Sequence, residues 1–172
     1  SVAGDAALEP LAERYLAFLV HAHLGDGQFA LRMSYGRDWL PGRSDDACGR
    51  AIHGLGFAAR FAPWPVLRSG ARTLLDQAVG FRSIHPRAMA HAALGAIAVA
   101  ESEVGEDPVL DALFDATVEA LGHVPASADW PWTEPRLSYA NALLPHARLG
   151  IGRLREDQRV IGDALRQLEW LV

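Results

Sequence analysis

Asp46, Arg50 and His53 fall at i, i+4 and i+7 within SDDACGRAIHGLG, residues 44–56. At helical spacing they share one face. Arg87 and His91 repeat the i, i+4 relation in HPRAMAHAALGA, and Tyr139 and His146 lie seven apart in SYANALLPHARLG. A carboxylate, a guanidinium and an imidazole on one face supply an acceptor, a rigid donor and a titratable group. On neighbouring helices such faces converge on one mouth. The same spacing also serves plain surface ion pairing, Asp46 with Arg50 for example, worth roughly 0.2–0.5 kcal/mol. Recurrence on three segments is what points to a site.

Two long stretches without helical periodicity carry further chemistry. The first holds Asp26, Gln28, Arg32, Tyr35, Arg37, Asp38 and Trp39; the second holds Asp129, Trp130, Trp132, Glu134 and Arg136. Planar aromatics beside carboxylates and arginines suit sugars: the ring packs on the apolar C–H face of a pyranose while polar groups bind its hydroxyls. The same tryptophans are equally suited to covering the ends of a helical core.

Other chemistries find little support. The seven histidines lack ligand spacing, so no metal site is expected. GDG at 25–27 is a turn, and no phosphate-loop or dinucleotide pattern is present, so no cofactor is expected. No serine sits in a nucleophile elbow. Cys48 is the single cysteine, which excludes an internal disulfide and reads as a small packing residue. A net charge of -5 argues against a general nucleic-acid or anionic-membrane surface. No apolar run is long enough for a membrane span and no signal peptide is visible, so a cytoplasmic location is expected. The chain opens on Ser1 rather than methionine, and its start is read as a boundary within a longer protein.

The elements that must position these residues are helices. A chain of 172 residues, half of them hydrophobic, can bury the core of one domain. Periodicity and caps predict seven helices, near 6–23, 45–61, 66–79, 86–101, 109–121, 138–149 and 156–171, and no strands. Ser44 is the expected N-cap of the second, and Pro86 opens the fourth. PWP at 63–65 and GEDP at 105–108 are breaks. HGLG at 53–56, HAALG at 91–95 and HARLG at 146–150 recur on the second, fourth and sixth helices. Those helices are rich in Gly and Ala, which lets axes approach closely; the others are more conventionally amphipathic. The expectation is all-α: stacked helical hairpins with an inner and an outer layer.

GDGQFALRMSYGRDWL, SDDACGRAIHGLG, HPRAMAHAALGA and WPWTEPRLSYANALLPHA, in this order, resemble a bacterial helical domain fused to, or encoded near, glycosyltransferases. That domain is similar to the six-hairpin glycosidase (α/α)6 toroid. The resemblance runs from about Tyr15 to Leu171, and the Trp-rich loop followed by SYANALLP is its most distinctive part. Matching positions are Asp26, Gly27, Arg32, Tyr35, Trp39, Asp46, Gly49, Arg50, Pro86, Arg87, Trp130, Trp132, Glu134, Tyr139, Asn141 and Pro145. Departures are Pro135 and Ala140, each in place of an acidic residue, Asp45 in place of Glu, and His53 in place of an aromatic. The resemblance implies a partial toroid, a carbohydrate ligand and a glycosyltransferase partner. Seven helices are fewer than a closed ring requires, so the chain is either part of a longer protein or an open arc; an arc has apolar sides, favouring a partner chain or self-association.

Two functions follow, with a purely structural helical repeat as a third possibility. In the first, a cleft at the ends of the inner helices acts on a glycoside. Glu134 is then the acid and Asp46 or Asp45 the base or nucleophile. Arg50, Arg87 and Asn141 orient hydroxyls, Trp130 and Trp132 form the platform, and Arg32, Tyr35, Trp39, His53, His91 and Tyr139 complete the binding surface. In the second, the domain binds or scaffolds a glycan for a glycosyltransferase without catalysis. The two missing carboxylates favour the second.

Overall fold

The computed structural model describes residues 5–102 and 107–172. A single 3-10 turn, Ala6–Leu8, leads into α1 (Glu9–Ala22). Two small hairpins follow: β1 (His23–Gly25) with β2 (Gln28–Phe29), and β3 (Arg32–Met33) with β4 (Trp39–Leu40). Then come α2 (Asp45–Phe61), α3 (Pro65–Ala78), α4 (Pro86–Ala100), α5 (Pro108–Leu121), α6 (Leu143–Leu154) and α7 (Gln158–Leu171). The fold is all-α, with seven α-helices among the described residues. Two residues of the expected GEDP turn, 105 and 106, lie outside the described residues.

Local chemistry sets most helix starts. The Ser44 hydroxyl accepts from the Ala47 amide at 3.2 Å, and Asp45 and Asp46 occupy the positive first turn of α2. Asp107 caps α5 through the amides of Val109 and Leu110, and Asp157 caps α7. Pro65, Pro86 and Pro108 begin α3, α4 and α5, where no amide donor is required.

Two sequence expectations are corrected. Strands do occur between residues 23 and 40, but each has only two or three residues. That is too short to show a period of two. Left-handed backbone at Gly25, Asp26 and Gly27 turns the first hairpin. A Cβ at Gly27 would run into the Ala78 carbonyl and Phe81, so this turn is seated on the end of α3. The sixth helix begins at Leu143 rather than near 138. The Asn141 side chain accepts from the Ser138 amide at 3.0 Å and donates to the Ser138 carbonyl at 3.2 Å, and Ala140 takes a positive φ of 48°. This local turn outcompetes helix. Pro145 is thereby in the first turn of α6, where it costs no hydrogen bond.

The helices form two layers. α4 lies at the centre, packed by α2, α5 and α6, and every residue from Arg87 to Val99 is buried. α2, α4 and α6 form the inner row, while α3, α5 and α7 pack on α2, α4 and α6 respectively and α1 rests on α3. The repeated glycines explain the closeness of the row. A Cβ at Gly49 would meet the Ala88 backbone, one at Gly56 the Gly95 carbonyl, and one at Gly95 the Ile52 carbonyl. α2 and α4 therefore touch backbone to backbone, which no larger residue permits. Gly150 on α6 plays a similar part, its added Cβ lying 2.7 Å from the Ile97 side chain. At the edge of the array α1 leaves Leu11, Tyr15, Phe18 and Val20 exposed.

Candidate functional site

The starts of α2 and α4 and the 122–142 segment enclose a cleft of about 440 Å³. Asp45, Asp46, Arg87, Glu134 and Tyr139 line it, with Arg43, Ser44, His85, Pro86 and Ala88. The close approach of α2 and α4 places Asp46 and Arg87 on adjacent helix starts. The Asn141 turn then carries Tyr139 and Glu134 over both.

Arg87 is the hub. Its guanidinium is buried, and it donates to both Glu134 oxygens at 2.7 and 2.9 Å, to the Tyr139 carbonyl at 2.6 Å and to Asn141 Oδ1 at 3.1 Å. Such a fork is the strong, geometrically selective form of an arginine–carboxylate pair. The Tyr139 ring lies over the Arg87 guanidinium at 5.0 Å. Trp132 Nε1 adds a bond to Glu134 Oε2 at 3.3 Å, and Trp130 Nε1 donates to the Glu134 carbonyl at 3.0 Å. Across the cleft Tyr139 donates its hydroxyl to Asp46 Oδ1 at 3.1 Å, and Arg50 donates to Asp46 Oδ2 at 2.8 Å. One network thus links α2, α4 and the long loop, although Asp46 and Glu134 are far apart in the chain.

Its charge states follow from these contacts. The Arg87 guanidinium holds Glu134 below the usual carboxylate range, against the opposing effect of burial. Burial pushes the Asp46 carboxyl up, but hydrogen bonds from Arg50 and Tyr139 outweigh it and the pKa falls. Burial and the neighbouring Asp46 raise the Tyr139 phenol. Both carboxylates are therefore ionised at neutral pH, and Tyr139 keeps its proton.

Below the cleft, His53 Nδ1 and His91 Nδ1 are 3.0 Å apart. Burial, then His91, His146 and Arg50, lowers His53 to about 4, and burial and Arg50 lower His91. The repeated histidines of α2 and α4 thus meet in one layer and share a hydrogen bond between neutral rings. Among the described residues no group of three or more His, Cys, Asp or Glu converges as a metal set.

Several expected roles need correcting. Tyr139 and His146 do not share a helix face, because Tyr139 precedes α6. Trp132 is only 1% exposed and offers no sugar platform; it stacks on Trp170 of α7, against which Trp130 packs edge-on. Burial of so large an apolar surface outweighs any advantage of exposing it. Trp39 packs on Phe18 and His21 of α1, Tyr35 stands fully exposed at a hairpin tip, and Arg32 lies on β3; none of the three lines the cleft. Glu134, ionised and forked to Arg87, has no proton to give as an acid. Cys48 is fully buried, as a packing residue should be.

Ser83 was not legible as a site residue. Its hydroxyl donates to Asp45 Oδ2 at 2.6 Å and accepts from the His85 amide at 3.0 Å. Neither spacing nor composition marks a loop serine for that task. Arg43 and His85 line the cleft as well; only their places beside the cap Ser44 and before Pro86, the first residue of α4, could have flagged them. No family model, curated protein or solved structure matches the chain.

Proposed function

We propose that the chain is a glycan-binding module whose cleft at the starts of α2 and α4 holds a sugar, and that it serves a partner enzyme such as a glycosyltransferase rather than cleaving the glycoside itself. The observation that carries this reading is the state of the two carboxylates. Glu134 is forked to Arg87 and Asp46 is held by Arg50 and Tyr139, and both are ionised. Hydrolysis by a carboxyl pair requires one of the two to carry a proton. A rigid array of oriented acceptors and donors is instead what hydroxyl recognition requires. Asp46, Asp45 and Glu134 accept from hydroxyls, Arg43 donates, and the exposed edge of the Tyr139 ring offers an apolar surface. The resemblance to glycosyltransferase-associated helical domains supports the sugar and the partner.

Calorimetry against a panel of free sugars, with product analysis on the same mixtures, tests the reading. Binding without release of a smaller sugar is expected, with affinity reduced in Asp46→Asn. Turnover by the wild-type chain that disappears in Asp46→Asn or Glu134→Gln overturns it in favour of a glycosidase.

A further inference from the structure

A second cavity, of about 680 Å³, shares Asp45 with the cleft. It is lined by Asp45, Arg82, Ser83, Ile84 and Glu119, and by Ala116 and Ala120 of α5. Both volumes are of ligand-pocket size, roughly 300–1,000 Å³. Asp45 is common to both linings. We propose that the two cavities are successive subsites for one elongated, uncharged saccharide of at least two units, with Asp45 at the junction. This rests on the sugar reading of the cleft and extends it to ligand length and charge.

The setting of Asp45 fits a junction. Ser83 clamps Oδ2 at 2.6 Å, and the His85 amide in turn fixes Ser83. Asp45 Oδ1 accepts no hydrogen bond among the described residues. A carboxylate oriented through one oxygen and open on the other accepts hydroxyls at the boundary between two sugar units. The second cavity also combines polar and apolar groups. Arg82 is pinned by the Val79 and Phe81 carbonyls at 3.1 and 2.8 Å, so its guanidinium has little freedom to lose on binding. Glu119 supplies an acceptor, while exposed Ile84 and the two alanines offer the surface that pyranose C–H groups cover. Charge selects the class of sugar. Carboxylates outnumber guanidinium groups in each lining: Asp45 and Glu119 against Arg82 in one, and Asp45, Asp46 and Glu134 against Arg43 and Arg87 in the other. An anionic sugar meets net repulsion in both.

The test is calorimetry on the full chain with matched probes: glucose with maltose and cellobiose, mannose with mannobiose, galactose with galactobiose, and glucuronic acid. For the sugar that binds, the disaccharide is expected to bind about tenfold tighter than its monosaccharide. That ratio is expected to fall below about threefold in Glu119→Ala and in Ile84→Ala, both surface changes that leave the core intact. Glucuronic acid is expected to bind more weakly than glucose. Equal affinities for the two lengths, a ratio unchanged in both variants, or tighter binding of glucuronic acid each overturn the inference alone. No binding by any probe overturns the sugar reading itself, and this inference with it.

Discussion

Replacing Glu134 by Gln removes a charge and keeps the shape. In the folded chain the Arg87 side chain is 8% exposed and that of Glu134 25% exposed. Breaking a buried ion pair from one side costs about 3–5 kcal/mol, because the remaining charge is left uncompensated. Here Arg87 keeps the Tyr139 carbonyl and Asn141, Gln retains one acceptor, and solvent reaches part of the carboxylate. The expected loss is therefore below that range, about 2 kcal/mol at pH 7. The pH dependence is the sharper check. Glu134 has a folded pKa below its ordinary 4.5, so near that pH the unfolded chain binds more protons than the folded one. Its contribution is complete above the ordinary value and is lost as pH falls through the folded value. Urea denaturation of both proteins at pH 7, 5 and 3 reads this directly, with an unchanged slope showing that the unfolded state is the same. The stability gap is expected to be full at pH 7 and 5 and to shrink at pH 3. Equal stability at pH 7, or a gap of the same size at pH 3, refutes the account of Arg87 as a hub compensated by Glu134.

Gly56→Ala places a methyl on the Gly95 carbonyl; a loss of at least about 2 kcal/mol is expected in thermal unfolding, whereas Gly54→Ala, with open space around it, stabilises α2 slightly, by up to about 1 kcal/mol. His53 titrates near 4 when folded and near 6.5 when unfolded. The unfolded chain thus takes up the proton first, and stability falls as pH drops from 6.5 towards 4. For a ring that solvent partly reaches, the loss is about 1–2 kcal/mol after screening; it is expected to diminish in His53→Phe, and its persistence unchanged in that variant would refute the assignment to the histidine pair. Asn141→Ala removes both bonds to Ser138 and one to Arg87; about 1–3 kcal/mol of stability is expected to be lost, with weaker sugar binding in calorimetry because Tyr139 is no longer held over Asp46.

How much of this was legible depended on how local each cause is. α2 was readable at both ends because its signals are adjacent in the chain: Ser44, two aspartates and, beyond Phe61, a proline pair. α6 was misplaced because an Asn141 turn and one left-handed alanine overrule a good helical pattern. The strands were missed because two or three residues cannot display alternation. The histidine–leucine–glycine repeat was visible, but its meaning needed the packing. The glycines are where inner helices touch, and the histidines are a layer that the touching brings together.

The amino-acid sequence alone determined the all-α class, the two-layer alternation and the shared face of Asp46, Arg50 and His53, since periodicity and capping act within a few residues. Only the tertiary structure decided which charges meet. By sequence alone Arg87 is as well suited to solvent; the Asn141 turn gives it Glu134 instead, across 47 residues of chain. Burial likewise turned Trp132 from a surface aromatic into core. These outcomes depend on long-range closure and on the competition between hydration and packing, and no short stretch of residues encodes either.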